Sequence, residues 1–300
     1  MEQKPIVAIM YDFDKTLSPR DMQEYAFIPG VGMEPENFWN ICHKTMVDHN
    51  MDQILAYMLI MKQEAEGKML LSRDEFRKLG KSVILFKGVK NWFKRINDYG
   101  EKLGVVVEHY IISSGLKEII EGTDIAKEFK QIYAAEFCYN DKNVPIWPAM
   151  AVNYTSKTQF LFRINKGVLD VTEHRGLNEF TPENKRRIPF VNMVYIGDGL
   201  TDVPCMKLVK ENGGHSIAVY QDKKDEVNNM IAQGRVDFVI LADYSKNSAM
   251  ENTVFAILDH ISATSKTIAL HIEHKNNAEN DILEKQKQQW AEEHNCVREL

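Results

Sequence analysis

Short apolar runs recur along this chain, and from Gly88 onward helical segments separate them. Strands that alternate with helices are typical of a parallel sheet. We interpret as strands the runs Ile6–Tyr11, 105–112, 131–137, 191–196, His215–Tyr220 and 236–242. The pattern predicts an α/β fold with a parallel sheet, in which the proline-containing stretch 140–148 forms a hairpin or a loop.

The segment 18–87 interrupts this alternation, because it contains no convincing strand. Residues 52–63 and 72–79 have helical composition and spacing, and Ser72 with Glu75 resembles a capping box. We therefore expect a helical insert at 18–87 in an α/β core formed by 1–17 and 88–262. The polar tail 263–300 is expected to be helical and to pack on the core or on a partner. The sequence leaves open whether the protein forms a homodimer.

The composition is typical of a soluble protein, with 44% hydrophobic and 27% charged residues among 300. A formal net charge of −6 argues against a nucleic-acid-binding surface, since such surfaces cluster lysine and arginine. No run approaches the ~20 apolar residues of a membrane helix, and residues 1–5 lead directly into the first strand, so we expect neither a membrane span nor a signal peptide. The cysteines are widely spaced, so we expect neither a zinc site nor a disulfide framework. Without a disulfide framework, the expected location is the cytoplasm. The cysteines are Cys42, Cys138, Cys205 and Cys296.

Two aspartates follow the first apolar run, in the string Asp12-Phe13-Asp14-Lys15-Thr16. Side chains that leave the carboxyl end of a strand in an open α/β sheet project into the crevice where ligands bind. One carboxylate there can attack phosphorus while the second handles the proton of the leaving group. The alternative is that both aspartates only satisfy the backbone of a turn.

Other polar groups occupy similar positions later in the chain. Ser113 ends an apolar strand, Lys157 opens a predicted helix at 158–164, and Asp198 and Asp202 follow the run 191–196. Each has an ordinary alternative: a helix cap, a solvated lysine, a tight turn, or an acidic residue favoured by the helix dipole. Their common order along the chain is more informative than any one of them.

Together these residues resemble the motifs of the haloacid dehalogenase superfamily of aspartate-nucleophile phosphohydrolases. The resemblance covers most of the core and implies a Rossmann-like fold. The four motifs stand here as Asp12-Phe13-Asp14-Lys15-Thr16, Ile111-Ile112-Ser113, Lys157, and Gly197-Asp198-Gly199-Leu200-Thr201-Asp202. Lys166 competes with Lys157 for the third motif, although it lies at the end of its predicted helix, where a lysine complements the dipole.

The resemblance implies a role for each residue. Mg²⁺ would be held by Asp12, Asp198 and the backbone carbonyl of Asp14, with Asp202 supporting the metal or Lys157. Asp12 would form an aspartyl-phosphate, and Asp14 would act first as acid and then as base.

Supporting roles follow from the same motifs. Lys157 would neutralise charge on the nucleophile and the phosphate, and Ser113 would donate a hydrogen bond to a phosphoryl oxygen. Thr16 and Gly115, inside or beside the first two motifs, would support the site.

The position of the helical insert resembles that of the cap in phosphoserine phosphatase-type members, which restricts access to small molecules. The implied substrate is a small phosphorylated metabolite, and Arg20 and Asp21 are candidates to contact it. Phosphoserine phosphatases carry a Glu near the position of Asp21, so that specificity stays open. The insert's aromatic and methionine side chains are expected to form its own core; they include Phe38, Trp39, Tyr57, Met58 and Met61.

Two other functions are compatible with the motifs. A phosphotransferase or mutase would pass the phosphoryl group to an acceptor other than water. An inactive binding or regulatory protein would normally lack a nucleophile or a metal ligand, and neither is missing from this sequence.

Overall fold

A seven-stranded, mostly parallel sheet forms the centre of the computed structural model, which describes residues 4–222 and 224–295. The strand order is β4-β3-β2-β1-β5-β6-β7. The strands are β1 (Ile6–Tyr11), β2 (Val106–Leu116), β3 (Phe129–Tyr139), β4 (Pro145–Met150), β5 (Met193–Gly197), β6 (His215–Tyr220) and β7 (Phe238–Leu241). The predicted α/β class with a Rossmann-like parallel sheet is therefore confirmed.

Strand β1 lies in the middle of the sheet and pairs in parallel with two neighbours. Ile9 is in register with His109 of β2 and with Val194 of β5. The hairpin predicted at 140–148 is present, since β4 returns antiparallel to β3 at the edge of the sheet. The carboxyl ends of β1, β2 and β5 consequently meet on one side of the molecule.

Each face of the sheet is covered by helices, and the alternation of side chains along β1 explains why. Val7, Ile9 and Tyr11 belong to one buried cluster, whereas Ala8 and Met10 belong to the other. The helices of the core are α5 (Val89–Leu103), α6 (Lys117–Glu121), α7 (Lys157–Lys166), α8 (Arg175–Asn178), α9 (Val203–Glu211), α10 (Lys224–Ala232) and α11 (Ala249–Asn295). A strand buried on both faces reads as a continuous apolar run, as β1 does.

Four α-helices lie within the segment 18–87. Its α-helices are α1 (Phe27–Gly30), α2 (Pro35–Asp48), α3 (Gln53–Ala65) and α4 (Arg73–Gly80). Asp52 caps α3 by accepting hydrogen bonds from the backbone N–H groups of Ile54 and Leu55, and Ser72 Oγ accepts from the N–H of Glu75 at 3.2 Å. These caps explain where the two helices begin.

Short 3₁₀ turns lie between the longer elements, and one replaces the start of a predicted strand. They are Met22–Glu24, Ala126–Glu128, Glu183–Lys185 and Phe190–Asn192. The strand expected over 191–196 begins only at Met193, because the N–H of Asn192 donates to the carbonyl of Pro189 and its side chain donates to Ile6. The turn thus fastens the beginning of β5 to β1.

Helix α11 runs without interruption through the boundary expected at residue 263. Its first turns pack on the sheet through Val254, Leu258 and Ile261, whereas 266–290 is exposed throughout. The tail is helical as predicted within the described residues; Cys296 and the rest of 296–300 lie outside them. In the described part of the chain, no helix combines the length and apolar character needed to cross a bilayer.

Candidate active site

Asp12 is the first residue beyond β1 and is held by the backbone of its neighbours. Its N–H donates to the carbonyl of Ile196 at 2.9 Å, and its Oδ1 accepts from the N–H of Phe13 at 2.8 Å. The chain then turns sharply at Lys15, whose φ of 56° lies in the left-handed region. Asp12 and Asp14 precede this turn and lie just beyond the carboxyl end of β1, at the same edge of the sheet.

Lys157 connects two of the predicted motifs. It is the first residue of α7 and is fully buried, with Nζ 3.2 Å from Asp12 Oδ1 and 2.7 Å from Asp202 Oδ1. Tyr195, on β5, donates a second hydrogen bond to Asp202 Oδ1 at 2.8 Å. A carboxylate, an ammonium and a second carboxylate therefore form a continuous buried chain.

Burial and charge compete within this chain. Burial raises the pKa of Asp12 to about 6, although the ammonium of Lys157 acts in the opposite direction. Burial would also lower the pKa of Lys157, but the carboxylates of Asp12 and Asp202 raise it above its ordinary value. Lys157 is consequently a fixed positive charge beside Asp12.

Asp14 faces the helical insert. Its Oδ1 accepts a hydrogen bond from the N–H of Met22 at 2.8 Å. Burial, followed by the nearby charges of Asp21 and Asp12, raises the pKa of Asp14 well above its usual range. This shift is in the direction that a general acid requires.

Ser113 and Gly115 lie near the carboxyl end of β2, in the irregular stretch between Ile112 and Leu116, which both pair with β3. Ser113 is fully buried, and its Oγ accepts from the N–H of Gly115 at 3.1 Å. A Cβ on residue 115 would lie 2.0 Å from Met22 Cε and 2.8 Å from Asp14 Oδ2, so any larger residue here would have to displace the ends of these two side chains.

Three carboxylates form a group that could hold a metal ion. Asp12, Asp198 and Asp202 each offer one oxygen, and these oxygens lie within 4.8 Å of one another. Asp202 Oδ2 is buried and has no hydrogen-bond partner among the described residues. Burial, with the charges of Asp202 and Asp12, raises the pKa of Asp198 well above its usual range. An all-oxygen, negatively charged donor set fits Mg²⁺.

A cavity of about 620 Å³ lies beside this site, between the sheet edge and the insert. Among the predicted site residues, Asp12, Asp14, Asp21, Ser113, Gly115 and Asp198 line it. Lys157 and Asp202 lie behind Asp12, fully buried. Thr16 is also buried, and its carbonyl accepts from the hydroxyl of Tyr244 at 2.9 Å.

Two of the predicted candidates lie elsewhere. The guanidinium of Arg20 stacks over the ring of Tyr25, 4.5 Å from its centroid, and Arg20 is not among the residues that line the cavity. Lys166 Nζ donates to the carbonyls of Leu177 and Glu179 at the far end of α7. Of the two lysines considered for the third motif, only Lys157 contacts the aspartates.

Several contributors to this site were missed by reasoning from the sequence. Lys15 lines the cavity and pairs with Asp21, with Nζ 2.9 Å from Oδ2. Asp52 Oδ2 accepts from the side-chain amide of Asn153 at 2.9 Å, which joins the insert to the core. Trp39 and Tyr57, expected in the core of the insert, also line the cavity, although Tyr57 is buried. Only the left-handed turn at Lys15 could have been suspected, from the need for a sharp turn after the strand.

Comparisons with known proteins agree with this geometry. The sequence profile of haloacid dehalogenase-like hydrolases matches residues 9–207, which include all four motifs. An uncharacterised protein of Borreliella burgdorferi is 27% identical, over 84% of this chain and 96% of its own length.

Solved structures with a similar fold include hydrolases of the same kind. A haloacid dehalogenase family hydrolase from Salmonella enterica serovar Typhi has a TM-score of 0.54 at 15% identity, covering 86% of this chain and 73% of its own. A phosphoserine phosphatase with bound substrate has a TM-score of 0.51 at 15% identity, covering 83% and 97%. A probable phosphoserine phosphatase from Vibrio cholerae has a TM-score of 0.54 at 11% identity, covering 87% and 67%. At these identities the likeness concerns the fold alone.

Proposed function

Because this chain belongs to the family of haloacid dehalogenase-like hydrolases, we propose that it is a Mg²⁺-dependent phosphatase that hydrolyses a small phosphorylated metabolite. The observation that carries this proposal is the position of Asp12. Its carboxylate lies at the border of the cavity and 3.2 Å from a buried ammonium, that of Lys157. A phosphate dianion repels a carboxylate nucleophile, and this fixed positive charge offsets part of the repulsion.

The first step transfers the phosphoryl group to the protein. A carboxylate oxygen of Asp12 forms a bond to phosphorus while the bond from phosphorus to the leaving oxygen breaks. Asp14 gives its proton to that leaving oxygen and becomes a carboxylate. The raised pKa of Asp14 supports this role, since the group must begin the step protonated.

The second step returns the protein to its starting state. The carboxylate of Asp14 now takes a proton from a water molecule, whose oxygen forms a bond to phosphorus. The bond between phosphorus and Asp12 breaks, which releases inorganic phosphate and restores both aspartates.

Ser113 and Lys157 act on the oxygens of the transferred group. The hydroxyl of Ser113 lies at the end of β2 on the cavity wall and can donate to a phosphoryl oxygen while its Oγ keeps the hydrogen bond from Gly115. Lys157 donates a hydrogen bond to Asp202, and Tyr195 donates a second one to the same carboxylate. These two bonds hold the ammonium of Lys157 in position beside Asp12.

Asp12, Asp198 and Asp202 are the residues that would hold the metal, together with the backbone carbonyl of Asp14. When bound, Mg²⁺ supplies positive charge that stabilises the phosphoryl oxygens as their charge rises. Asp202 Oδ2 supports this assignment, because it is buried without a hydrogen-bond partner among the described residues, and a buried carboxylate oxygen needs a compensating interaction.

We propose that the insert 18–87 acts as a cap. It contributes Asp21, Trp39 and Tyr57 to the cavity, and the hydroxyl of Tyr57 donates to the carbonyl of Ser114 at 2.8 Å. A cavity of about 620 Å³ suits a small molecule rather than a protein surface. The cap would limit access of water and contact the leaving group.

Hydrolysis of p-nitrophenyl phosphate with and without Mg²⁺ tests the proposed function. We expect turnover that depends on Mg²⁺ and is inhibited by fluoroberyllate, which mimics the phosphoryl group on an aspartate. No turnover together with no fluoroberyllate binding would contradict a phosphatase. Transfer of the phosphoryl group to an added alcohol or sugar in preference to water would instead favour a phosphotransferase.

A further inference from the structure

The insert contributes two aromatic rings and two carboxylates to the cavity that Asp12 borders, and the described residues that line this cavity include a single lysine and no arginine. From this juxtaposition we infer that the leaving group of the substrate carries a cationic ammonium group and no carboxylate. The inference rests on the proposed phosphatase activity and specifies its substrate class.

The aromatic corner formed by Trp39 and Tyr57 is the first element of the argument. Their ring centroids are 6.3 Å apart and their planes are inclined by 77°, so the two rings meet nearly at a right angle. Both line the cavity that contains Asp12. An aromatic face attracts a quaternary or primary ammonium through its negative electrostatic potential. Trp39 is the partly exposed ring of the pair, and the buried Tyr57 packs against it.

Hydrogen bonds hold both rings of the corner in place. Trp39 Nε1 donates to Glu24 Oε1 at 3.0 Å, and the hydroxyl of Tyr57 donates to the carbonyl of Ser114. The first bond also brings the carboxylate of Glu24 to the edge of the indole. A preformed corner binds a cation without the cost of ordering its side chains.

The charges around the corner favour a cation. Beyond the motif aspartates, Asp21 and Asp52 line the cavity, and among the described residues Lys15 is its only lysine or arginine. Lys15 Nζ is already paired with Asp21 at 2.9 Å. An adjoining cavity of about 520 Å³ shares the corner and adds His43 but no further lysine or arginine among the described residues.

A leaving group with a carboxylate would therefore meet a poor environment. It would approach Asp21 and Asp52 and would have to compete with Asp21 for Lys15. Like charges at an enclosed site disfavour binding, whereas an ammonium is attracted by the same carboxylates. Charge and aromatic geometry thus select the same class of substrate.

A pair of isosteric esters isolates the effect of the charge. Phosphocholine and 3,3-dimethylbutyl phosphate have nearly the same shape, but only the first carries a positive charge on the leaving group. We expect kcat/KM to be about tenfold higher for phosphocholine. 2-Phosphoglycolate, which carries a carboxylate, is expected to be the poorest of the three.

Variants locate the effect at the aromatic corner. In Trp39→Leu, the ratio of kcat/KM for phosphocholine over its neutral isostere should fall from about ten to near one. Phe180→Leu is the matched control, since Phe180 is an exposed aromatic residue that does not line the cavity. This control should keep the ratio of the unmodified protein.

The outcomes separate the inference from the proposed function. If p-nitrophenyl phosphate is hydrolysed but the charged and neutral esters react equally, or 2-phosphoglycolate is preferred, the inference is wrong and the phosphatase stands. An unchanged ratio in Trp39→Leu also overturns it. If p-nitrophenyl phosphate is hydrolysed but none of the three esters is, the inference is likewise wrong and the phosphatase stands. If p-nitrophenyl phosphate is not hydrolysed either, both the phosphatase and its substrate class are wrong.

Discussion

Lys157 Nζ lies 2.7 Å from Asp202 Oδ1, and neither side chain has any exposed surface. Because the same ammonium lies 3.2 Å from Asp12 Oδ1, Lys157 is shared by the proposed nucleophile and a candidate metal ligand. A buried ion pair that loses one partner leaves an uncompensated charge. The lysine therefore has consequences for both stability and activity.

We expect Lys157→Ala to lower kcat for p-nitrophenyl phosphate by at least about 100-fold, because a fixed charge beside the nucleophile is lost. The free energy of unfolding should fall by about 3 to 5 kcal/mol, as Asp202 is left buried without its cation. Phosphate release and urea unfolding measure the two effects.

Lys166→Ala is the matched control for this prediction. The ammonium of Lys166 donates to two main-chain carbonyls at the far end of the same helix. Its variant should keep a near-normal rate. If Lys166→Ala lost most of the activity and Lys157→Ala did not, the assignment of the third motif would be reversed.

Asp12→Asn should abolish turnover, with a loss on the order of 10³-fold or more, because an amide oxygen is a poor nucleophile towards phosphorus. The amide oxygen can still accept the hydrogen bond from the N–H of Phe13, so circular dichroism should show an intact fold. Asp141→Asn, at an exposed position in the β3–β4 hairpin, serves as the control. Near-normal activity in Asp12→Asn would show that another residue is the nucleophile.

Much of the core could be predicted from sequence because its central strands are buried on both faces. Such strands appear as largely apolar runs, and those at Ile6–Tyr11 and His215–Tyr220 have the predicted bounds. The start of β5 could not be predicted in this way, since Asn192 is held in a turn by contacts with Pro189 and Ile6. Contacts between distant parts of the chain override the local pattern there.

Within the site, positions were easier to predict than side-chain directions. Asp12 and Asp198 follow strands, so the sheet topology alone brings them to one edge. The direction of the Arg20 side chain is set by its stacking on the ring of Tyr25. The carboxylate of Asp202 accepts a hydrogen bond from the hydroxyl of Tyr195 on β5. No spacing in the sequence encodes either contact.

Tyr195→Phe tests the support behind Lys157. The change removes a hydrogen bond to Asp202 Oδ1 and should lower the free energy of unfolding by about 1 to 3 kcal/mol. Because Asp202 also holds Lys157, we expect kcat to fall as well. Urea unfolding and p-nitrophenyl phosphate turnover are the measurements.

Tyr133→Phe is a suitable comparison for Tyr195→Phe. It removes a hydroxyl that donates to the carbonyl of Leu169, at 2.9 Å and away from the cavity. Stability should fall by about 1 kcal/mol while kcat stays unchanged. Equal losses of kcat in the two variants would argue against a special role for Tyr195.

His109 should make the stability of the protein depend on pH. Its ring is buried between the hydroxyl of Tyr11 and the side chain of Asn97, and burial lowers its pKa to about 3. The unfolded chain binds a proton at its ordinary pKa of 6.5, so between about pH 3 and 6.5 the unfolded state binds more protons. Stability should therefore fall as the pH decreases through this window.

The His109→Gln variant isolates that contribution. Its urea midpoint should change less between pH 7 and pH 4 than that of the unmodified protein, since glutamine does not titrate. Carboxylates such as Glu108, whose pKa is lowered to about 2, contribute equally to both proteins. Parallel pH profiles would show that His109 is protonated in the folded state at its usual pKa.

Truncation after Ser265 tests how much of α11 belongs to the core. The helix packs on the sheet through Ile257 and Ile261, whereas 266–290 is exposed throughout. Removing 266–300 should therefore leave the Tm of a monomer within a few degrees of the original, while Ile257→Ala should cost about 2 to 5 kcal/mol. Suppose instead that truncation lowers the Tm, and that the Tm of the full-length protein rises with its concentration while that of the truncated protein does not. The exposed part of the helix would then be an interface between copies of this chain.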